Sequence, residues 1–135
     1  MGLQNAIKQT FLETQIPSGE DRWLALFIIA PEPDNTGTEY SGGGYARVAH
    51  QNWSITIDGP RMYRVNVGAI EWPVAAADWV GLVAVGIFDA EVGGNLIWSQ
   101  PLRNGDGVPL SFTVPAGDQI RFVDGELQWG IGKDG

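Results

Sequence analysis

The sequence predicts a mainly β fold: a single-domain antiparallel β-sandwich or jelly-roll-like barrel over residues 1–135, with one short N-terminal helix. About eight short segments rich in β-branched, aromatic and other apolar residues alternate with turn formers. The 19 glycines and 8 prolines supply those turns. An apolar fraction of 44% over 135 residues is enough for one ordinary core.

The first predicted element is the helix. Leu3, Ile7 and Phe11 recur at intervals of four residues, which predicts an apolar stripe on a helix of about 12 residues within segment 1–16. A helix this short is marginal alone in water, so we expect its stripe to pack on its own domain or on a neighbouring subunit. Pro17, followed by Ser-Gly, ends the helix.

The strands follow in chain order. The run RWLALFIIA, which begins at Arg22, is apolar on both faces, as expected of a strand buried on two sides. The segments YARVAH, WSITID and MYRVNV predict three short strands. The third of these places Tyr63, Val65 and Val67 on one face, because side chains alternate along a strand.

The second half of the chain contains the most apolar segment. WVGLVAVGIFDA predicts a central strand, in which Gly81 and Gly86 indicate the close approach of another backbone. NLIWSQPL and PLSFTV predict further strands, and the PAGD segment at 115–118 predicts a type II turn. QIRFV and ELQWGI predict a closing hairpin around Asp124 and Gly125.

Composition excludes several classes of function. The net charge of −8 and the scattered arginines argue against a nucleic-acid partner. The absence of cysteine excludes disulfides, iron–sulfur clusters and thiol catalysis. The N-terminal segment lacks the apolar core of a signal peptide, and no apolar run reaches membrane-spanning length. We therefore expect a protein made in the cytoplasm, without a membrane partner.

The sequence predicts no enzyme, metal or cofactor. His50 is the one histidine and no GxSxG motif is present, so a catalytic triad is not expected, and a surface or hydrogen-bonded histidine is the simpler interpretation. The DNTGTE segment at 34–39 offers oxygen ligands but lacks the spacing of an EF-hand. It is either a calcium loop or, more simply, a loop that hydrogen-bonds to itself.

The segment GTEYSGGGYARVA contains three consecutive glycines, Gly42 to Gly44. A phosphate-binding P-loop would continue with Lys-Ser/Thr and a helix. This segment continues with Tyr45 and Arg47 in a strand-like run, so we expect the glycines to turn the backbone at positive φ or in a bulge. Tyr40 and Tyr45 flank this turn and either pin it to the core or face a partner.

Six tryptophans are many for a chain of this length. They could include a sugar-stacking platform or interface anchors, although we expect about half or more to be core residues. Trp53, beside a polar asparagine, and Trp72, beside a proline, are predicted to be the most exposed.

Three blocks together resemble a known family: LALFIIAPEPDNTGTEYSGGGYARVA, DWVGLVAVGIFDAEVGGNLIWSQPL and GDQIRFVDGEL. They are similar to small virion structural proteins of tailed bacteriophages, whose members are often labelled tail fibre or hypothetical and some of which look like capsid decoration (cement) proteins. The resemblance covers nearly the whole chain. The middle segment, HQNWSITIDGPRMYRVNVGAIEW, departs from the family pattern.

The resemblance implies a cement protein that binds the major capsid protein on the outer surface of the virion and stabilises the head. It implies a homo-oligomer, commonly a trimer, and carries over no catalytic residue. The alternative is a tail or head fibre module that contacts the host surface, with glycan binding through exposed tryptophan and tyrosine rings as one form of it.

A partner interface is predicted around the glycine run. Its candidate residues are aromatic anchors and one arginine that could pair with acidic groups: Tyr40, Tyr45, Arg47, Trp53 and Trp72. The alternative for Arg47 is an ion pair with a carboxylate of its own chain.

Overall fold

One short helix and many short strands make up the part of the chain that the structure describes. The structure is a computed structural model, and it describes residues 5–32, 37–59, 61–103, 106 and 108–131. Helix α1 spans Asn5–Gln15. Twelve strands follow in the described ranges: β1 (Arg22–Ile29), β2 (Thr38–Glu39), β3 (Val48–His50), β4 (Trp53–Asp58), β5 (Arg61–Asn66), β6 (Ile70–Glu71), β7 (Trp79–Leu82), β8 (Ala84–Phe88), β9 (Leu96–Pro101), β10 (Phe112–Val114), β11 (Arg121–Phe122) and β12 (Gln128–Ile131).

The chain divides into two compact units, each assembled from segments that are distant in sequence. The helix unit comprises Met1–Asp21, His50–Ile70 and Phe122–Gly135. The glycine-loop unit comprises Arg22–Ala49 and Glu71–Arg121.

The helix unit contains an antiparallel sheet of three strands in the order β12-β5-β4. Helix α1 contacts the central strand, β5. On the neighbouring strand, Gly130 lies opposite Tyr63, and the tyrosine ring occupies the space that a Cβ at position 130 would need. The glycine thus lets an aromatic ring lie flat across the sheet.

The N-terminal helix is present, but the described residues of the predicted stripe are not buried within their own chain, and its packing on a neighbouring subunit stays a prediction. Ile7 and Phe11 are 54% and 45% exposed, and Leu3 lies outside the described residues. Lys8 and Leu12 are buried instead, together with Ile16 just beyond the helix. The stripe 8-12-16 has the same four-residue period as 3-7-11, and the long alkyl stem of a lysine packs as an apolar group. Periodicity therefore predicted the helix but not which side packs.

Strand β5 buries polar side chains on the face opposite Val65. Arg64 is 4% exposed, and its Nε donates to the carbonyl of Ile16 at 2.8 Å. Asn66 is 1% exposed. Its Nδ2 donates to the carbonyls of Gly68 (2.7 Å) and Val123 (3.0 Å), and its Oδ1 accepts from the amide of Leu127 (2.9 Å). Buried polar groups are tolerated when they are hydrogen-bonded in this way.

The glycine-loop unit is built on a five-stranded antiparallel sheet. The order is β2-β1-β8-β9, and β3 also pairs with β1. Ala25, Phe27 and Ala84 form one buried hydrophobic cluster in it. Gly86 is closely packed, but by side chains and not by another backbone as predicted, since a Cβ there would lie 2.6 Å from Cε1 of Phe27 and 2.9 Å from Cδ1 of Leu96.

The apolar run WVGLVAVGIFDA is two strands and not the one central strand predicted. The first, β7, pairs with β10, whereas the second, β8, pairs with β1 and β9. Gly81 has a φ of +81°, and a Cβ on it would meet nothing within 4 Å. The prediction of close approach is thus wrong for Gly81, where the left-handed backbone itself favours glycine.

The turns predicted at 115–118 and at Asp124-Gly125 are found, but the predicted closing hairpin is wrong. At 115–118 the amide of Asp118 donates to the carbonyl of Pro115 at 2.9 Å, and Gly117 has a φ of +90°. A turn also forms at Asp124-Gly125, but β11 pairs with β6 and β12 with β5. The reason is Asn66, which hydrogen-bonds to the backbone on both sides of this turn and draws it to the end of β5.

The fold-class prediction is confirmed: the protein is mainly β, with antiparallel sheets and one short N-terminal helix. Within the described ranges the sheets are open and none closes into a barrel.

The burial pattern of α1 predicts unequal effects for two truncations. Leu12→Ala removes a fully buried side chain and is expected to lower the free energy of unfolding by about 2–5 kcal/mol. Ile7→Ala, at an exposed position of the same helix, is the matched control and should lower the free energy of unfolding by less than about 1 kcal/mol. Urea unfolding followed by tryptophan fluorescence measures both. Equal losses would contradict the observed orientation of the helix.

Candidate functional site

The triple glycine forms a left-handed turn in the glycine-loop unit. Gly42, Gly43 and Gly44 have φ angles of +92°, +59° and +81°, values that residues with a side chain rarely adopt. The amide of Tyr45 donates to the carbonyl of Gly42 at 3.0 Å and closes the turn. The prediction that these glycines turn the backbone is confirmed.

Gly43 meets a second constraint, which is space. A Cβ on it would lie 2.8 Å from Nε1 of Trp79. That indole nitrogen donates to the carbonyl of Gly43 at 2.8 Å, and the amide of Ala76 donates to the same oxygen at 2.8 Å. Trp79 is fully buried, so the turn supplies the acceptor that its N–H requires.

The two tyrosines that flank the turn pack on the same tryptophan. The ring of Tyr45 meets those of Trp79 and Tyr40 edge-on at centroid distances of 5.7 Å, and Tyr40 lies 5.9 Å from Trp79. Such edge-to-face contacts are favourable beyond the area that they bury. The hydroxyl of Tyr40 also donates to the carbonyl of Asp78 at 3.2 Å. Of the two roles left open for these tyrosines, pinning the turn is the one the contacts fulfil.

The hydroxyl of Tyr45 joins the turn to two strands. It donates to Oε2 of Glu39 at 2.6 Å and accepts from the amide of Leu26 at 2.9 Å. Burial and the hydrogen bond to the carboxylate both favour the neutral phenol, so they raise the pKa of Tyr45 far above its ordinary value.

Arg47 holds the turn to the loop between β8 and β9. Its Nε and Nη2 bind Glu39, with a shortest distance of 2.9 Å. Its Nη1 donates to the carbonyls of Ala90 (2.9 Å) and Gly93 (2.8 Å), and its guanidinium carbon lies 3.7 Å from the ring centroid of Phe88. The Arg47 side chain is 8% exposed. The intramolecular alternative predicted for Arg47 is therefore the one that the structure contains.

The β8–β9 loop is fixed from within as well. Asp89 accepts from the backbone amide of Asn95 (2.8 Å) and from its Nδ2 (3.1 Å), and these hydrogen bonds lower the pKa of the Asp89 carboxyl. Gly94 packs so closely that a Cβ on it would lie 2.5 Å from Oδ1 of Asp89. At the tip of this loop, Val92 is 85% exposed.

An open pocket of about 360 Å³ lies between the turn and this loop. Its walls combine aromatic, small and charged residues from the two segments that Arg47 connects: Glu39, Tyr40, Ser41, Gly42, Tyr45, Ala46, Arg47, Glu91, Val92 and Gly93. Three of the five predicted interface residues, Tyr40, Tyr45 and Arg47, therefore line one pocket.

Trp53 and Trp72 do not belong to this site, and the prediction that they are the most exposed tryptophans is wrong. Trp53 is 4% exposed and Trp72 is 0% exposed. The indole of Trp53 donates to the carbonyl of His50 at 3.3 Å. The sequence neighbours Asn52 and Pro73 suggested exposure, but burial of a large apolar ring depends on what folds over it.

The histidine and the acidic side chains of the described ranges were the candidates for a triad or a metal site. Among them, no group of three His, Cys, Asp or Glu side chains is placed to hold a metal ion. Nε2 of His50 lies 2.9 Å from the carbonyl of Asn52 and 3.1 Å from that of Val67, which confirms a hydrogen-bonded histidine. Residues 34–36 of the suggested calcium loop lie outside the described residues. In the described part of the chain, no helix has the length and apolar character to cross a membrane.

Sequence reasoning missed two members of the site. Glu39 was assigned to the suggested calcium loop, although it lies eight residues before Arg47 and is its ion-pair partner. The second is the loop that contains Gly93, for which we predicted no role in the site. Its signal was the Asp-Ala-Glu-Val-Gly-Gly-Asn order, in which an Asp and an Asn enclose two glycines, as in a loop that hydrogen-bonds to itself.

The chain matches one known protein family over a region that includes the whole candidate site. The family model described as podophage GP4 fiber I protein gp80 matches residues 2–130. The chain belongs to this family. The predicted membership in a family of bacteriophage virion structural proteins is thereby confirmed at that level. No curated protein matches the chain at a significant level. In this fiber I family member, the matched region contains both the glycine turn and the β8–β9 loop.

Loss of the arginine is expected to destabilise the protein strongly. Arg47→Ala removes the cation that pairs with Glu39 and the donor to two backbone carbonyls, and should lower the free energy of unfolding by about 3 kcal/mol or more. Arg121→Ala is the matched control, because its ion pair with Glu71 is exposed and 3.7 Å long, and it should cost less than about 1 kcal/mol. Equal urea midpoints for the two variants would contradict the role given to Arg47.

The raised pKa of Tyr45 predicts a pH dependence of stability. Below pH about 10 the phenol is neutral in both folded and unfolded chains, and its stabilising contribution is fully present. Above that pH the unfolded chain releases the proton while the folded chain keeps it, so the free energy of unfolding falls by up to about 1.4 kcal/mol per pH unit. Tyr45→Phe removes this contribution, so its stability should fall less steeply in alkaline urea titrations. Identical slopes would refute the assignment.

Proposed function

We propose that the chain is a non-enzymatic structural subunit of a podophage virion fibre. The observation that carries this proposal is the family match over residues 2–130, whose description is that of a fibre protein. The fold is compatible with that role, because short antiparallel strands joined by hydrogen-bonded turns make a stiff module.

The geometry of the pocket supports a binding role over a catalytic one. The polar groups of Glu39, Tyr45 and Arg47 are hydrogen-bonded to one another and to the backbone. A phenol with a raised pKa is a poor general base near neutral pH, and a guanidinium does not release its proton. Such a network fixes a surface in advance, which reduces the entropy lost when a partner binds.

Assembly in the virion is the second part of the proposal. We propose a homo-oligomer, with a trimer as the expected state, because symmetric copies multiply weak contacts through effective concentration. The net charge of −8 argues against attachment through nucleic acid. Light scattering of the purified chain measures the oligomeric state independently of its place in the particle.

Decoration of the outer capsid is the other candidate. The three sequence blocks that resemble cement proteins favour binding to the major capsid protein, whereas the matched family description favours a fibre. The two assignments differ in copy number, because a fibre attaches at few positions and a cement protein covers the lattice.

Quantitative mass spectrometry of purified virions tests the proposal. A fibre subunit is expected at a copy number close to that of the tail proteins, and far below that of the major capsid protein. Near parity with the major capsid protein would refute the fibre and establish decoration. Absence from purified particles would overturn both assignments.

A further inference from the structure

The pocket between the glycine turn and the β8–β9 loop contains one charged side chain, Glu91, that is not paired within the described residues. Glu39 and Arg47 neutralise each other in a bidentate pair, in which Nε binds Oε2 and Nη2 binds Oε1. Glu91 lines the same pocket, is exposed, and has no hydrogen bond or ion pair with any other described residue. The charge that the pocket offers to solvent is therefore negative.

Val92 adds an apolar surface beside this carboxylate. It is 85% exposed, although the loop that carries it is held by Arg47 and by the hydrogen bonds between Asp89 and Asn95. Because the loop is fixed, the valine side chain remains exposed to water. Burying this apolar surface against a partner would be favourable. Ala46 lines the same pocket.

We propose that this pocket binds a basic side chain, an arginine or a lysine, presented by a partner protein. Such a side chain combines an alkyl stem, which suits Val92 and Ala46, with a cationic end, which suits the free carboxylate of Glu91. A volume of about 360 Å³ is near the lower end of ligand pockets and accommodates one long side chain. Tyr40 and Tyr45 line the pocket as well, and aromatic rings favour a nearby cation.

Two other occupants fit less well. A second copy of the chain has 16 acidic and 8 basic residues. Its net negative charge would be repelled by an acidic pocket. A saccharide is usually held by several polar groups that are free to bond, whereas those of Glu39, Tyr45 and Arg47 are used within the chain. This inference does not depend on where in the virion the protein lies.

Nuclear magnetic resonance titration of the whole chain tests the proposal. The probes are the peptide acetyl-Gly-Arg-Gly-amide, the same peptide with neutral citrulline in place of arginine, and methyl glucoside. We expect the arginine peptide to shift the amide signals of Gly42, Gly44 and Gly93, with an affinity that falls as salt rises. Citrulline should shift them less, and the saccharide should not.

Two pairs of variants locate the binding. Glu91→Gln should weaken binding of the arginine peptide by about two- to fivefold, the range of an exposed ion pair. Glu20→Gln removes an exposed carboxylate outside the pocket and should leave binding unchanged. Val92→Ser should also weaken binding, whereas Val80→Ser, at another exposed valine, should not.

Three results would overturn the proposal. They are equal binding of the arginine and citrulline peptides, an unchanged affinity in Glu91→Gln, and shifts produced by the saccharide alone. A concentration-dependent shift of the same amides without any probe would assign the pocket to a second copy of the chain and would also overturn it.

Discussion

The guanidinium of Arg47 determines the form of the candidate site. A cation that is only 8% exposed is stable when nearly all its donors are bound, and here they bind one carboxylate and two carbonyls of the β8–β9 loop. The planar group requires those acceptors in fixed directions, which a lysine could not impose. Glu39, held by the same arginine, accepts in turn from Tyr45, so the glycine turn and the loop are placed by one charge.

The glycines of this unit serve two separate physical purposes. Gly42 and Gly44 turn the chain at positive φ, where most side chains would be strained. Gly86 has an ordinary backbone and is required only because Phe27 and Leu96 fill the space of a Cβ. Gly43 combines both constraints, since its backbone is left-handed and Trp79 packs against it.

Turns and glycine conformations were predictable from the sequence. The features that depend on tertiary contacts, such as helix orientation, ion-pair partners and burial, were not. The turn at Gly117 and the backbone role of Gly42 follow from residue type alone. The orientation of α1 was not predictable, because its two stripes share one period and only packing on β5 selects between them. In the same way, the pairing of Arg47 with Glu39 was one of many ion pairs that 16 acidic residues allow. Trp72 is fully buried, and its backbone is hydrogen-bonded to Gln119 and Ile120, which are far away in the chain.

The three-segment composition of the helix unit has a consequence for biosynthesis. Its central strand β5 needs β12 as a neighbour, and Asn66 needs the backbone of Leu127. A ribosome delivers those residues after the complete glycine-loop unit, Arg22–Ala49 and Glu71–Arg121. Helix α1 and the β4–β5 hairpin are therefore synthesised before their partner strand β12, at a time when β5 still has one unpaired edge. The sheet of the helix unit can therefore be completed only after β12 has been synthesised.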